Sequence, residues 1–330
     1  MDKIKTAVIG VGALGRHHLR WLNQLPNSQL MGLYDIDVDK ARILAGEYAV
    51  PAFPSLEAAA DAADAFCVVV PTTSHYDVAA YLIERGKHCL IEKPIAPTLD
   101  QSSKLSALAA ERSVKVTVGQ IERFNPAVRA LANHDVRPSF VEAHRLAAFD
   151  PRGTDVAVVL DLMIHDIDLV LKFVKSDIKD IQASAVAVVS DQVDIANARL
   201  TFENGAVANL TASRISLGAM RKLRIFQRSG YYSLDLGKRQ ADLYRLAREG
   251  DTGGFRVPLG KSGKDVLYTK IADDGQDMLG LELESFLNAV LTDGDVAVTL
   301  EEAAKALQVA LEVERIGVSS IAQMMEAQST

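Results

Sequence analysis

The chain's 330 residues are 48% hydrophobic and 24% charged, an ordinary globular mixture with enough length for two domains. A net charge of −7 with no basic stretch argues against a nucleic-acid partner, and no apolar run approaches the roughly 20 residues of a membrane span. The opening Met1-Asp2-Lys3-Ile4-Lys5 enters a strand pattern at once and is expected to leave no room for a signal peptide.

Strand-like and helix-like patterns alternate through the first 120 residues, the signature of a parallel sheet covered on both faces. Residues 5–9 read as a buried strand running into Gly10-x-Gly12-x-x-Gly15, and 14–25 read as helix. In such a loop the first glycine permits a tight exit from the strand. The second lets backbone N–H groups approach a pyrophosphate, and the third lets helix and strand pack closely. Ala13 and Leu14 would open the helix whose N-terminus receives the phosphates. A second strand, 30–34, ends at Asp35, about 20 residues beyond the loop. A carboxylate there accepts hydrogen bonds from both hydroxyls of an adenosine ribose and repels a 2′-phosphate. Neither Ile36 nor Asp37 supplies a cation for such a phosphate, so NAD is favoured over NADP. The alternative is a turn aspartate entering a helix over 38–48, with Asp37 as its N-cap.

Pro51 and Pro54 precede a short Ala-rich helix, and 65–70 then read as a central strand ending at Pro71-Thr72-Thr73-Ser74-His75. A helix stopped by Gly86 leads to a strand over 88–91 that ends in Glu92-Lys93-Pro94. Helix 99–112 and strand 114–119 complete the alternation at Gln120. Cys67 and Cys89 lie inside two of these strands without a CxxC partner. They read as buried free thiols, and a soluble cytoplasmic protein is expected.

The texture changes after Gln120. Residues 121–126 read as the start of a connecting helix, 141–146 as a strand, and 155–174 as a long apolar helix carrying Asp161 and His165. Strand patterns at 178–189, 196–202, 206–213, 222–228 and 231–236 follow with little helix between them, and Asn204-Gly205 marks a hairpin. An antiparallel sheet is expected. Gly253-Gly254 and 260–263 read as flexible loop, and helices near 279–291 and from 300 past 315 close the chain. The expected division is a dinucleotide-binding domain over 1–120 and a substrate domain over 121–330.

A doubly wound sheet binds its ligand outside the carboxyl ends of its strands. Asp35, Thr72 to His75, Glu92-Lys93 and Gln120 all stand at such ends. Lys93, set between a strand end and a proline, is held stiffly; it suits acid–base work or is simply a strand-end lysine. Asp161 and His165 share one helix face at i and i+4, and a carboxylate can orient an imidazole and raise its pKa. The residues alone leave two readings open: a pair taking a proton from a hydroxyl as hydride leaves its carbon, or an interior ion pair. Asp166 and Asp168 add carboxylate, and no third ligand stands at metal-like spacing.

Taken in order, Gly10-x-Gly12-x-x-Gly15, Glu92-Lys93-Pro94 and Asp161-x-x-x-His165-Asp166-x-Asp168 resemble the glucose–fructose oxidoreductase / inositol dehydrogenase / rhizopine-catabolism (Gfo/Idh/MocA) family. The resemblance covers essentially the whole chain. It implies an α/β protein: an N-terminal Rossmann domain with a doubly wound parallel sheet, then an α/β domain with a large, open, mainly antiparallel sheet. That sheet's outer face commonly forms a homodimer or homotetramer interface. By the same resemblance Lys93 touches nicotinamide ribose and substrate, and Asp161 and His165 form the substrate-side pair of a catalytic triad. Pro71, Thr72, His75, Glu92 and Gln120 match cofactor-contacting segments. The stretch 119–127, with Arg123 and Asn125, together with 161–166 looks most like the branch that oxidises UDP-N-acetylglucosamine-type sugars at C3; Arg123, Arg145 and Arg152 would supply charge for a diphosphate. The expectation is an NAD-dependent dehydrogenase of a secondary sugar hydroxyl. The alternatives are a dehydrogenase of inositol or a free sugar, and a non-enzymatic NAD(H)-binding sensor.

Overall fold

The computed structural model describes residues 2–150, 156–251 and 254–328. Two compact units make up the chain: Met1–Phe124 with Gln276–Leu307, and Asn125–Gly275 with Gln308–Thr330. The segment Gln276–Leu307, which lies in the second domain of the sequence reading, thus belongs with the first unit. A helical pattern records that one face is covered but not which core covers it.

In the first unit β1 (Ile4–Ile9), β2 (Ser28–Tyr34), β3 (Ala65–Val68), β4 (His88–Glu92) and β5 (Val116–Gly119) form a parallel sheet in the order β2-β1-β3-β4-β5. The order reverses between β1 and β3, which places a crevice at the carboxyl ends of those two strands. The strands are apolar on both faces because helices cover both, and Ala65, Phe66, Cys67 and Val68 are all buried. The connecting helices are α1 (Ala13–Gln24), α2 (Val38–Tyr48), α3 (Leu56–Ala62), α4 (His75–Glu84) and α5 (Leu99–Arg112). Asp37, Ser55 and Thr98 cap α2, α3 and α5 by accepting backbone N–H bonds, as their side chains favour. Strand β3 ends two residues before the sequence pattern does, although Val69 N–H still donates to Ile9 O at 2.8 Å.

The expected connecting helix is instead a 3-10 turn, Ile121–Phe124, ending the first stretch of the first unit, and α6 (Pro126–Arg129), which opens the second unit. Pro126 has no N–H to continue a helix and instead occupies the first helical turn. Then come β6 (Phe140–Leu146), a π-helical turn (Val159–Met163) and α7 (Ile164–Val174). The strands that follow are β7 (Ile178–Val186), β8 (Ile195–Phe202), β9 (Val207–Ser213), β10 (Met220–Gln227), β11 (Gly230–Asp235), β12 (Gln240–Leu246), β13 (Phe255–Pro258) and β14 (Asp265–Ile271). With β6 they form a nine-stranded sheet in the order β13-β14-β12-β11-β10-β6-β9-β8-β7, antiparallel except where β6 runs parallel to β9. Strands β12, β13 and β14 have no counterpart in the sequence reading, which named only the loops 253–254 and 260–263 there; Gly253 lies outside the described residues. Phe255–Pro258 is exposed along its whole length, so it carries no alternating pattern to read.

One face of this sheet is lined by Ala196, Ala198, Leu200, Ala208, Leu210 and Ala143, and α7 packs on β6 and β9. The other face is polar with an aromatic stripe. Phe140, Phe226, Tyr231, Tyr244 and Tyr268 stack across five strands with centroids 4.8–5.6 Å apart. Two helices close the chain, α8 (Met278–Thr292) and α9 (Leu300–Gln328). Leu283, Phe286 and Leu287 of α8 join the core of the first unit beside Val8, Leu19 and Cys67. Gly280 lets α8 approach α1, since a Cβ there would stand 3.0 Å from the Trp21 ring.

Candidate functional site

The glycine loop follows β1 with each glycine in a distinct position. Gly10 has φ +88°, and a Cβ on it would stand 2.6 Å from Val69 O. A Cβ on Gly15 would collide with the Gly10 carbonyl oxygen, whereas one on Gly12 would meet no protein atom within 4 Å. The first and third glycines therefore serve the turn itself, and the second faces open space. Gly12 is also the N-cap of α1, with no side-chain cap and no acidic residue in the first turn. The leading N–H groups of α1 are thus left for an anion, and the loop fits the pyrophosphate of a dinucleotide.

Asp35 stands just past β2, and its Oδ2 accepts the Val11 N–H at 2.7 Å while Oδ1 accepts the Asp37 N–H at 2.9 Å. The carboxylate is therefore fixed beside the glycine loop. Asp37 is separately the cap of α2, as the helix-entry reading of this acidic pair expects. Past β3, Pro71 precedes a 3-10 turn over Thr72–Ser74, and His75 opens α4. The His75 ring is buried, with Nδ1 2.7 Å from Pro94 O and Nε2 2.9 Å from Val70 O. Burial pulls its pKa below the usual imidazole value, against the raising effect of the two carbonyls and Glu92. His75 thus ties the segment after β3 to the segment after β4. Gln120, at the end of β5, is 2% exposed, and its buried Oε1 has no hydrogen-bond partner. An orphaned acceptor at a strand end fits a ligand that brings its own donor.

Glu92 ends β4 beside Lys93. Its Oε1 accepts the Nε2–H of His18 at 2.9 Å, and its Oε2 accepts the Lys93 N–H at 3.3 Å. Burial pushes this carboxyl up, but the His18 bond, the pull of His18 and the ammonium and N–H of Lys93 outweigh it, leaving the pKa below the ordinary value. Glu92 is therefore a carboxylate near neutral pH. Arg123 is 8% exposed, and its Nη1 donates to Ala297 O at 3.0 Å and to Glu302 at 3.1 Å. Its charge is engaged inside the first unit.

In the second unit Asp161 lies in the π-helical turn and His165 in the first turn of α7; both are half-buried, while Met163, Ile164 and Asp166 are buried. The sequence reading of one continuous α-helix gives way to a π turn, a device common at functional sites. Residues 151–155, with Arg152, lie outside the described residues. Arg145 on β6 grips Asp166 with two bonds, Nε to Oδ2 at 3.0 Å and Nη2 to Oδ1 at 2.8 Å. It joins sheet to helix beside His165. Asn125 donates to Leu236 O at 2.9 Å and caps α6 by accepting the Ala127 N–H. Arg123, Arg145 and Asn125, read as substrate candidates, thus hold backbone carbonyls, the half-exposed Glu302 and the buried Asp166. Among the described residues no three His, Cys, Asp or Glu side chains group as metal ligands.

Residues 4–120 match the family model described as an oxidoreductase family with an NAD-binding Rossmann fold, and 127–233 match the GFO/IDH/MocA C-terminal domain. The UDP-N-acetylglucosamine 3-dehydrogenase of Acidithiobacillus ferrooxidans is 37% identical over 324 residues, 98% of this chain and 100% of that one. The chain belongs to the GFO/IDH/MocA oxidoreductase family. A solved structure of the Acidithiobacillus ferrooxidans enzyme has a TM-score of 0.88 at 34% identity, covering 97% of this chain and 99% of that one. The scyllo-inositol 2-dehydrogenase (NAD(+)) of Bacillus subtilis is 26% identical over 233 residues, 65% of this chain and 68% of that one. As a member of this family the chain is an NAD-dependent oxidoreductase of the dehydrogenase type.

This family member also holds site segments with residues that sequence reading did not select. Asp194 is fully buried; its Oδ2 accepts N–H bonds from Val188, Val189 and Ser190 at 2.8, 2.6 and 3.0 Å, and its Oδ1 accepts Arg214 Nε–H at 2.9 Å. Arg214 Nη1 donates to Val156 O at 2.8 Å, and Val158 N–H donates to Val193 O at 2.9 Å. The chain entering the π turn is pinned at both residues. The only sequence signal for Asp194 and Arg214 is opposite charge beside apolar strand patterns.

Proposed function

We propose that the chain oxidises a secondary hydroxyl of a sugar with NAD, at C3 of a UDP-N-acetylglucosamine-type nucleotide sugar. The reading rests on one observation above all: the full-length likeness to a dehydrogenase of that specificity. Bound NAD supplies the hydride acceptor. The glycine loop and the α1 N-terminus hold its pyrophosphate, Asp35 its adenosine ribose, and Thr72, Glu92 and Gln120 flank the reactive end. Lys93 holds the reacting hydroxyl and stabilises the developing alkoxide. The hydroxyl proton passes to His165 or to Lys93, and Asp161 orients the His165 ring.

Absorbance at the NADH band tests the reading, with UDP-N-acetylglucosamine, its uronic acid, free N-acetylglucosamine and myo-inositol in parallel. A rise confined to the nucleotide sugars, with product analysis placing the ketone at C3, is the expected result. A rise confined to the unactivated polyols would move the substrate to the second reading, an inositol or free sugar, which the partial likeness to an inositol dehydrogenase favours. Lys93→Ala and His165→Ala each lose about 10²–10⁴-fold in turnover while binding NADH. Wild-type rates in both would refute the assignment.

The protein is further proposed to act as a cytoplasmic homo-oligomer built on the outer face of the nine-stranded sheet. The aromatic stripe on that face and two buried free thiols support this. No helix among the described residues is long and apolar enough to cross a membrane.

A further inference from the structure

Helix α1 presents its N-terminus to the phosphate site and turns His18, three residues past Gly15, into the core. His18 is 1% exposed, an expensive place for an imidazole. Glu92 only accepts hydrogen bonds as a carboxylate, so the proton of this contact sits on His18 Nε2. The other ring nitrogen, Nδ1, is buried with no hydrogen-bond partner. A residue kept for stability alone would satisfy both nitrogens or be apolar. What this ring does have is one directed bond, to the carboxylate beside Lys93.

That carboxylate is boxed in. Glu92 stands opposite Gly119 on β5, where a Cβ would lie 3.1 Å from Oε2 and 3.2 Å from Cδ. Lys93 N–H closes on Oε2 from the next residue, and His75 holds the Pro94 carbonyl from the far side. With the Pro94 end held by His75, the Glu92 end is set by His18.

We propose that His18 is a positioning residue that acts through Glu92 on Lys93, locking the Glu92-Lys93-Pro94 turn to the phosphate-binding helix. The helix that grips the cofactor then also fixes the lysine beside it. The proposal rests on the reading of Lys93 as the group that holds the reacting hydroxyl.

Three substitutions separate the roles. Gln carries its amide nitrogen about where Nε2 stands, Asn stops short of Glu92, and Phe removes the bond. In the full chain, His18→Asn and His18→Phe should lose about 10²-fold in kcat, the scale of a small misplacement of a reacting group, with NADH affinity by fluorescence titration unchanged. His18→Gln should recover most of the loss. Independently of turnover, acylation of Lys93 by a water-soluble active ester, read by peptide mass spectrometry, should change in rate in His18→Asn and return in His18→Gln. Exposed Lys104 should stay constant throughout. Should the Asn and Phe variants fail to fold, Gly119→Ala displaces the same carboxylate and should give the same loss of kcat with intact NADH binding. Wild-type kcat and Lys93 reactivity in His18→Asn, or in Gly119→Ala where that variant stands in, overturn the proposal. Lys93→Ala distinguishes this from failure of the underlying reading: an inactive Lys93→Ala leaves the lysine role standing, and an active one removes it whatever His18 does.

Discussion

Arg145→Met puts a number on a charge that sequence alone would assign to a substrate diphosphate. The Arg145 and Asp166 side chains are 4% and 3% exposed, and two bonds of 3.0 and 2.8 Å join them. Methionine fills much of the space of the arginine stem but leaves the Asp166 carboxylate buried without this partner. Breaking a buried pair from one side costs about 3–5 kcal/mol. A domain of about 150–250 residues loses roughly 2–4 °C of melting midpoint per kcal/mol, so the midpoint should fall by roughly 6–20 °C.

The assay is a thermal melt of the full chain, with NADH binding measured in parallel. Arg145→Met/Asp166→Leu should recover much of the loss, because an apolar pair of similar volume often replaces a buried ion pair at little cost. A midpoint shift below about 2 °C in the single variant would refute the structural assignment. If the nucleotide-sugar KM rose at the same time, the arginine would return to the substrate.

The glycine loop supports a paired test. Gly15→Ala should abolish NADH binding and lower the melting midpoint, because its Cβ collides with Gly10 O, whereas Gly12→Ala should weaken NADH binding with the midpoint unchanged. Equal melting losses in both would refute the division of roles. At Asp194 burial raises the carboxyl pKa, but the N–H groups of Val189 and Ser190, the Ser190 hydroxyl and Val188 N–H outweigh it and hold the group far below its ordinary value. A depressed carboxyl stabilises the fold fully above its unfolded pKa of about 3.9 and loses that contribution as pH falls toward the folded value. The melting gap between wild type and Asp194→Asn should therefore be constant above about pH 5 and narrow below about pH 4; a gap unchanged down to about pH 3 refutes this. For the outer sheet face, light scattering should give a multiple of the chain mass. Tyr231→Glu with Tyr244→Glu should reduce it to the monomer, and a monomeric wild type would end that reading.

The sequence was most legible where the chemistry is local. Gly10 can be read because its positive φ is a local turn requirement, Gly15 because it packs on Gly10 five residues earlier, and Asp37 because a cap reaches only to Lys40. Strands β7 to β11 show in the alternation of covered and uncovered residues, as in Ala196, Ala198 and Leu200 against Asn197 and Arg199. That signal fails at the sheet's far edge, where Phe255–Pro258 has no covered face. Nor does periodicity distinguish a π turn from an α-helix over one turn, so the stretch carrying Asp161 reads as α-helix throughout. Partner identity was the least legible of all. Arg123 meets Glu302 and His18 meets Glu92 across 179 and 74 residues, and nothing along the chain marks such a pairing.

Three ion pairs are largely buried: Arg145–Asp166, Arg214–Asp194 and His18–Glu92. A buried ion pair returns little net stability, because desolvation consumes most of its Coulombic attraction. Its surviving contribution is directional, since two or three short bonds fix the relative position of the elements that carry them. Each of the three stands beside a candidate site residue or the segment that carries one. Asp166, gripped by Arg145, is the neighbour of His165, and Glu92, bonded by His18, is the neighbour of Lys93. Arg214, anchored on Asp194, holds Val156 at the entry to the turn that carries Asp161. Arg145, a charge that sequence reading offered to a substrate diphosphate, is in this way placed beside His165. On the proposed function these pairs act on the neighbours of Lys93, His165 and Asp161, the groups that function needs in fixed positions.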